Sequence, residues 1–287
     1  MHRDRGPISG VRRAVALAAS FMLLSAIWLS TGGVATAQGE QATATAGSTT
    51  ATLSWRTDIG LYDKRIHLHV ERAGAVALKD ATVVHSVFGV LDNSYAPAPV
   101  QVVDLDGDSE PEVVVTVYTG GASCCFGVRV YRWNRRTYAP SQLLGLGGLY
   151  RIDRLGDGSQ AFAAHTEFLL AGPHSCAGYP VQLIAYRRGS FSDVTNAHPQ
   201  AVSRDARQWK RRWPRRCGNG PAIDFLGAYL IDLHRLGQTA ASEQAIDRAR
   251  SKGYFDAHPP AFQVTEQAFR RALARAIAHL SPQYLPD

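Results

Sequence analysis

The chain has 287 residues, is 45% hydrophobic and 19% charged, and carries a formal net charge of +7. That length holds one large or two ordinary domains, and that composition suits a globular protein more than a disordered one. The charge is unevenly placed: residues 1–37 carry net +3 and residues 204–216 carry net +6, so the rest of the chain is −2. A near-neutral globule with one basic stretch excludes a uniformly basic nucleic-acid binder.

Residues 1–37 read as a secretory leader. Arg12-Arg13 close a basic region, Ala14 to Leu29 are apolar, and Ala35-Thr36-Ala37 is a small-residue cleavage site before Gln38. The apolar run is shorter than the ~20 residues a membrane helix needs. An uncleaved N-terminal anchor is the alternative.

Export places the four cysteines, Cys124, Cys125, Cys176 and Cys217, in an oxidising compartment. Four cysteines allow three connectivities. Cys124 and Cys125 are neighbours in a strand-like stretch, so their side chains point to opposite faces. Each is expected to reach a distant partner, Cys176 and Cys217 in some order. A reactive thiol is the other reading, but no activating partner lies nearby in sequence.

In chain order, residues 38–50 are small and polar and read as a flexible linker before a β-rich region over 51–202. Thr52 to Trp55 and Arg65 to Glu71 alternate with period two and read as half-buried strands. Ala73-Gly74 turns into a strand at Ala75 to Leu78. Val83 to Leu91 reads as a further strand, and Asn93 to Pro99 as a proline-rich loop. His67, His69 and Glu71 share one strand face. A His-x-His pair can bind zinc, but ordinary solvent-facing polar residues give the same pattern.

Val103 to Val115 is the one stretch whose spacing specifies a chemistry. Asp104, Asp106, Asp108 and Glu112 fall at loop positions 1, 3, 5 and 9, Gly107 stands at position 4, and an apolar run follows. A tight loop turns the three aspartates inward, Glu110 contributes its backbone carbonyl, and Glu112 closes the site. Such an all-oxygen set suits a hard cation, calcium. Five acids within nine residues repel one another unless a cation compensates. The loop is not an EF-hand, since position 6 is Ser109 and position 12 is Val115. The competing reading is an acidic surface turn without an ion.

Strands are expected at Val113 to Tyr118 and Cys124 to Trp133, with a turn at Thr119 to Ala122 and another at Asn134 to Thr137. A partial copy of the acidic loop follows at Asp153 to Phe162. Asp153 matches Asp104, and Gly156-Asp157 match Gly107-Asp108. Leu155 replaces Asp106 and Ala161 replaces Glu112, so the copy is not expected to bind metal. Val181 to Phe191 repeats Val128 to Tyr138.

The Asp-x-Asp-Gly-Asp-x-x-x-Glu loop with its valine run resembles the FG-GAP/VCBS-type repeat, the unit of integrin-like β-propeller blades. The wider pattern is similar to secreted proteins of actinobacterial type. These share the acidic loop, the turn Thr119 to Cys125 with its paired cysteines, and the segment Phe191 to Thr195. The resemblance covers roughly residues 51–255 and implies a calcium-stabilised β-repeat scaffold. Two units cannot close a propeller, which usually needs four or more blades.

After Pro199 the pattern becomes helical, with a segment over 203–287. Ser203 is the expected cap of a helix to Trp213 that places Trp209 and Trp213 on one face. Pro221 is expected at the start of the next helix, Thr239 as the cap of a third, and Thr265 as the cap of a fourth. The fold class is therefore α+β, an antiparallel β-repeat region followed by a small helical segment. The basic-aromatic stretch Arg204 to Arg216 reads either as a solvated helix face or as a surface for an anionic cell-envelope component.

Catalytic signals are absent. Gly121-Ala122-Ser123-Cys124-Cys125 fails the Gly-x-Ser-x-Gly pattern at its last position. His165 and Glu167 share a strand face without partners. Two functions stand: a secreted, non-catalytic, calcium-braced binding protein, or a secreted hydrolase with its site at the sheet–helix junction. A cleft lined by perturbed carboxylates would favour the second, and a packed junction the first.

Overall fold

The computed structural model describes residues 36–38, 41–56, 66–83, 97–118, 120, 126–165, 168–170, 176–217, 220–256, 264–280 and 283–284. All of them belong to one compact unit, Thr31–Asp287. The fold is α+β. Four antiparallel sheets and four helices are described, and no sheet closes into a barrel among the described residues.

The first sheet runs in the order β1 (Thr36–Gln38), β2 (Gln41–Ala46), β3 (Thr49–Ser54), β4 (His67–Arg72) and β5 (Ala75–Thr82). Its inner face is Ala42, Ala44, Ala51, Leu53, Leu68 and Val70, all buried. Residues 41–50 are therefore not a linker. They pair with β3 over six positions, from Gln41↔Ser54 to Ala46↔Thr49. The alanines recur with period two and let this sheet lie close on β6. Their small size hid the strand from a reading based on hydrophobicity. Cleavage before Gln38 would remove two of the three residues of β1 and leave β2 at the edge of the sheet.

The second sheet takes β6 (Val100–Val103), β7 (Glu112–Tyr118), β8 (Phe126–Trp133), β10 (Leu144–Gly145) and β17 (Gln283–Tyr284), with β9 (Tyr138–Pro140) paired to β8. Val113, Val115 and Val117 pack on the first sheet, and Val114 packs on the other side with Val128, Val130, Phe162, Ile184 and Tyr186. A strand buried on both faces needs an unbroken apolar run, which explains Val113-Val114-Val115. The third sheet, β11 (Arg151–Arg154), β12 (Gln160–His165), β13 (Val181–Arg187) and β14 (Ser190–Asp193), covers that second face. Its own far side, Ala161, Ala163, Val181 and Leu183, receives Val202 of the first helix. Three sheets thus stack in series, with helices on the last.

Helix α1 spans Pro199–Arg212 and starts four residues before Ser203. Proline at the first turn loses no helical hydrogen bond, so the helix extends back to it. Val202, Asp205, Ala206 and Trp209 form the buried stripe. A two-residue ladder, β15 (Arg216–Cys217) with β16 (Gly220–Pro221), follows. Pro221 lies in that ladder, and α2 (Ile223–Arg235) begins after Ala222. Helix α3 (Thr239–Ser251) has Gln238 at the cap position and Thr239 as its first residue. Helix α4 (Glu266–Ala278) is capped by Thr265, whose hydroxyl accepts from the Ala268 N–H at 3.2 Å. No described helix is long and apolar enough to cross a membrane.

A disulfide joins Cys176 to Cys217, with Cα atoms 5.8 Å apart. This corrects the expectation that each would pair with Cys124 or Cys125, which lie outside the described residues. The reason is where the loop bearing Cys176 rests. Phe168 packs among the helices, and a Cβ on Gly178 would come within 2.2 Å of the Asp224 carbonyl oxygen in α2. Phe168 and Gly178 therefore lie against the helices, which brings Cys176 close to the segment that holds Cys217. A bridge across a separation of 41 residues restricts the unfolded chain by about 4 kcal/mol in the loop-entropy picture.

Candidate metal site

The acidic loop joins β6 to β7, and the ladder closes beneath it with Val103 opposite Glu112. Asp104 organises the turn. Its Oδ1 accepts from the Gly107 N–H at 2.8 Å and its Oδ2 from the Ser109 N–H at 3.0 Å. Gly107 and Ser109 both adopt left-handed backbone, φ +77° and +70°, which is why a glycine is useful at the tip. Leu105 is the anchor, buried among Val114, Phe162 and Tyr186. The alternation turns Asp106 inward, and its side chain is only 7% exposed.

One carboxylate oxygen from each of Asp104, Asp106 and Asp108 lies within 4.8 Å of the others, close enough to hold a metal ion. Two oxygens of this loop stand out. Asp106 Oδ1 and Glu112 Oε1 are buried and have no hydrogen-bond partner. Glu112 is fully buried, and its other oxygen accepts from the Leu105 N–H at 2.9 Å. Burial, reinforced by the charges of Asp106, Asp108 and Asp104, pushes the Glu112 carboxyl up to about 8. A buried carboxyl is not left unpartnered without cost.

Two arginines answer the remaining charge. Arg132 places Nη2 2.7 Å from Asp108 and 3.5 Å from Asp106, with Nε 3.5 Å from Glu112. Arg72 clamps Glu110 through Nη2 at 2.5 and 2.6 Å, its guanidinium 5.2 Å from the centre of the Trp133 ring. Glu110 therefore spends its side chain on Arg72. Five acids, Asp104, Asp106, Asp108, Glu110 and Glu112, thus meet two guanidiniums, an excess of negative charge that a divalent cation could offset. Neither arginine was singled out by the sequence. Arg132 stands beside Glu112 only through the β7–β8 register, Val113↔Tyr131, and Arg72 comes from another sheet.

The loop also reaches across to the third sheet. The Gln160 side chain donates to the Asp104 carbonyl at 2.7 Å, and the Arg188 N–H lies 3.4 Å from Asp106 Oδ2. The site therefore sits where the second and third sheets meet.

The chain matches no known family model, no curated protein and no solved structure.

The other sequence candidates are placed as follows. In the copy of the loop, Asp153 pairs with Arg151 at 2.7 Å and Asp157 with Arg187 at 3.3 Å. Bonds from Ser159 hold the Asp157 carboxyl below its ordinary range. His69 lies 3.6 Å from Glu71 and 3.7 Å from Asp80, and His165 Nδ1 is 3.1 Å from the Tyr179 carbonyl. The aspartate triad is the one metal-sized group among the described residues.

At the sheet–helix junction the sequence missed a buried polar cluster. Asp205 accepts from the Val181 N–H at 2.8 Å and the Trp209 indole N–H at 3.0 Å. Burial, with Asp205 alongside, pushes Asp232 up to about 9. Burial also pulls Arg235 down, and its Nη1 donates to the Val181 carbonyl. A cleft of about 380 Å³ nearby is lined by Asp193, Asn196, His234, Arg235, Ile277 and Leu280. Asp232, the perturbed carboxyl, is 0% exposed and does not line it.

Helix α1 buries Trp209 and exposes Arg204, Arg207, Lys210, Arg211 and Arg212, and beyond it Trp213 is buried while Arg215 and Arg216 are exposed. Asp205, the acid of this stretch, is buried, so the charges it exposes are all basic.

Proposed function

We propose that the protein is an exported, non-catalytic binding protein of the FG-GAP/VCBS repeat kind, braced by one calcium ion in the Asp104–Glu112 loop. The observation that carries this reading is the pair of buried oxygens that make no hydrogen bond, Asp106 Oδ1 and Glu112 Oε1, beside the aspartate triad. An all-oxygen set with flexible geometry suits calcium better than a soft metal. Asp104, Asp106, Asp108 and Glu112 would supply side-chain oxygens, and Glu110 its carbonyl. Extracellular calcium modules bind with Kd of about 10⁻⁴–10⁻³ M.

The ion's role is mechanical. The loop contacts the third sheet through Gln160 and Arg188, so neutralising it stiffens the junction between two sheets. The leader sequence and the Cys176–Cys217 bridge support export. The basic face from Arg204 to Arg216 is offered to an anionic cell-envelope component. The hydrolase alternative is disfavoured because the perturbed carboxyl at the junction is sealed from the cleft.

The test compares melting temperature in EDTA and in millimolar calcium. The expected result is a rise with calcium that Asp106→Asn abolishes. No rise in the unmodified protein would remove the calcium site from the proposal.

A further inference from the structure

A second cleft, of about 550 Å³, opens beside the acidic loop and is lined among others by Arg72, Arg132, Arg135, Asp108, Glu110 and Trp133. Three guanidiniums and two carboxylates face it. Two of the arginines are neutralised from within: Arg72 by Glu110, and Arg132 by Asp108. Arg135 is exposed and has no carboxylate partner among the described residues. It is held on a left-handed turn, φ +73°, where the Asn134 side chain accepts from the Arg136 and Thr137 N–H groups.

Arg132 differs from Arg72 in what neutralises it. Its three contacts, Asp106, Asp108 and Glu112, are all carboxylates that the proposed loop ion would draw on. Glu110, the partner of Arg72, is outside the aspartate triad. A guanidinium and a divalent cation repel each other and compete for the same carboxylates. The Arg132 side chain is 34% exposed and borders the cleft, so it has somewhere to turn.

We propose that this cleft is an anion site controlled by the loop: once a divalent cation takes Asp106 and Asp108, Arg132 is released to bind, together with Arg135, an oxyanion group of a ligand. The inference rests on the calcium reading of the loop. The ligand group is a carboxylate or a sulfate, either of which fits the planar fork of a guanidinium. Because coupling between two sites is reciprocal, the same anion tightens cation binding.

The test is calorimetric titration of the full chain with galacturonate and with glucose 6-sulfate, neutral glucose serving as control, in calcium and in EDTA. At least one acid should bind about tenfold more tightly in calcium, within the usual range of site-to-site coupling, and neutral glucose should not. Galacturonate alone would identify a carboxylate ligand, and glucose 6-sulfate alone a sulfate. Arg132→Gln should keep the calcium-induced rise in melting temperature and lose the calcium-dependent gain in anion affinity. Should that variant fail to fold, Arg135→Gln, at an exposed position outside the ion pairs, should weaken anion binding several-fold in calcium without moving the melting temperature. A melting shift with no gain for either acid overturns the anion site and leaves the calcium site standing. No melting shift overturns both. Glucose binding as tightly as the acids, a gain that survives in Arg132→Gln, or unchanged binding in Arg135→Gln also overturns it.

Discussion

The loop at Asp104–Glu112 and its copy at Asp153–Ala161 close similar hairpins, yet they handle charge in opposite ways. In the copy each aspartate has an arginine of its own, Arg151 or Arg187, and Asp157 stays in solvent. In the first loop Asp106 and Glu112 are drawn inside, and three acids share Arg132. Charges paired one to one at a surface need no ion and contribute little. Acids gathered in excess of their arginines form a group that could hold one. Leu155 and Ala161, in place of Asp106 and Glu112, are what separate the two loops.

The sharpest way to break that contrast is to remove each loop's apolar anchor. Leu105 is buried in the core between the second and third sheets, and Leu105→Ala should cost about 2–5 kcal/mol. Leu155 is only partly buried, and Leu155→Ala should cost roughly 1 kcal/mol. Denaturant unfolding of the two variants measures both, and equal losses would put the loops on the same footing.

The next effect is the cation itself. Calcium at about 1 mM, with the Kd of about 10⁻⁴–10⁻³ M expected for such modules, should add about 0.4–1.4 kcal/mol of stability. Asp153→Asn, in the copy, should leave that gain intact, in contrast to Asp106→Asn. Thermal melts at several calcium concentrations check it.

A third effect is read as a slope against pH in EDTA. Glu112 has its folded value raised from 4.5 to about 8. Between these values the unfolded chain has released the proton while the folded protein still holds it. Stability therefore falls as pH rises through that window. Glu112→Gln should flatten this part of the slope, and an unchanged slope would show that Glu112 does not hold the proton. The smallest effect is at the copy. Asp157→Asn removes an exposed pair and should change stability by less than about 1 kcal/mol.

Much of the fold was legible because it follows from local pattern. The valine run at 113–115, the acidic turn and the Thr265 cap all rest on neighbours in sequence. The strand at Gln41–Ala46 was missed because Ala42 and Ala44 bury little surface each and gain it only by lying on another sheet. The start of α1 was misplaced because Ser203 looks like a cap, whereas Pro199 opens the helix further back. At the site, the aspartate spacing was readable, but Arg72 and Arg132 were not. Their positions depend on strand register and on a neighbouring sheet, which no local pattern carries. The same holds for the cysteines, since the packing of Gly178 on α2, rather than spacing, brings Cys176 to Cys217.

Equilibrium dialysis with calcium separates the two loops most directly. One ion per chain, lost in Asp106→Asn and retained in Asp153→Asn, is the expected result. No ion bound, or two, would contradict the assignment of a single cation to the Asp104–Glu112 loop.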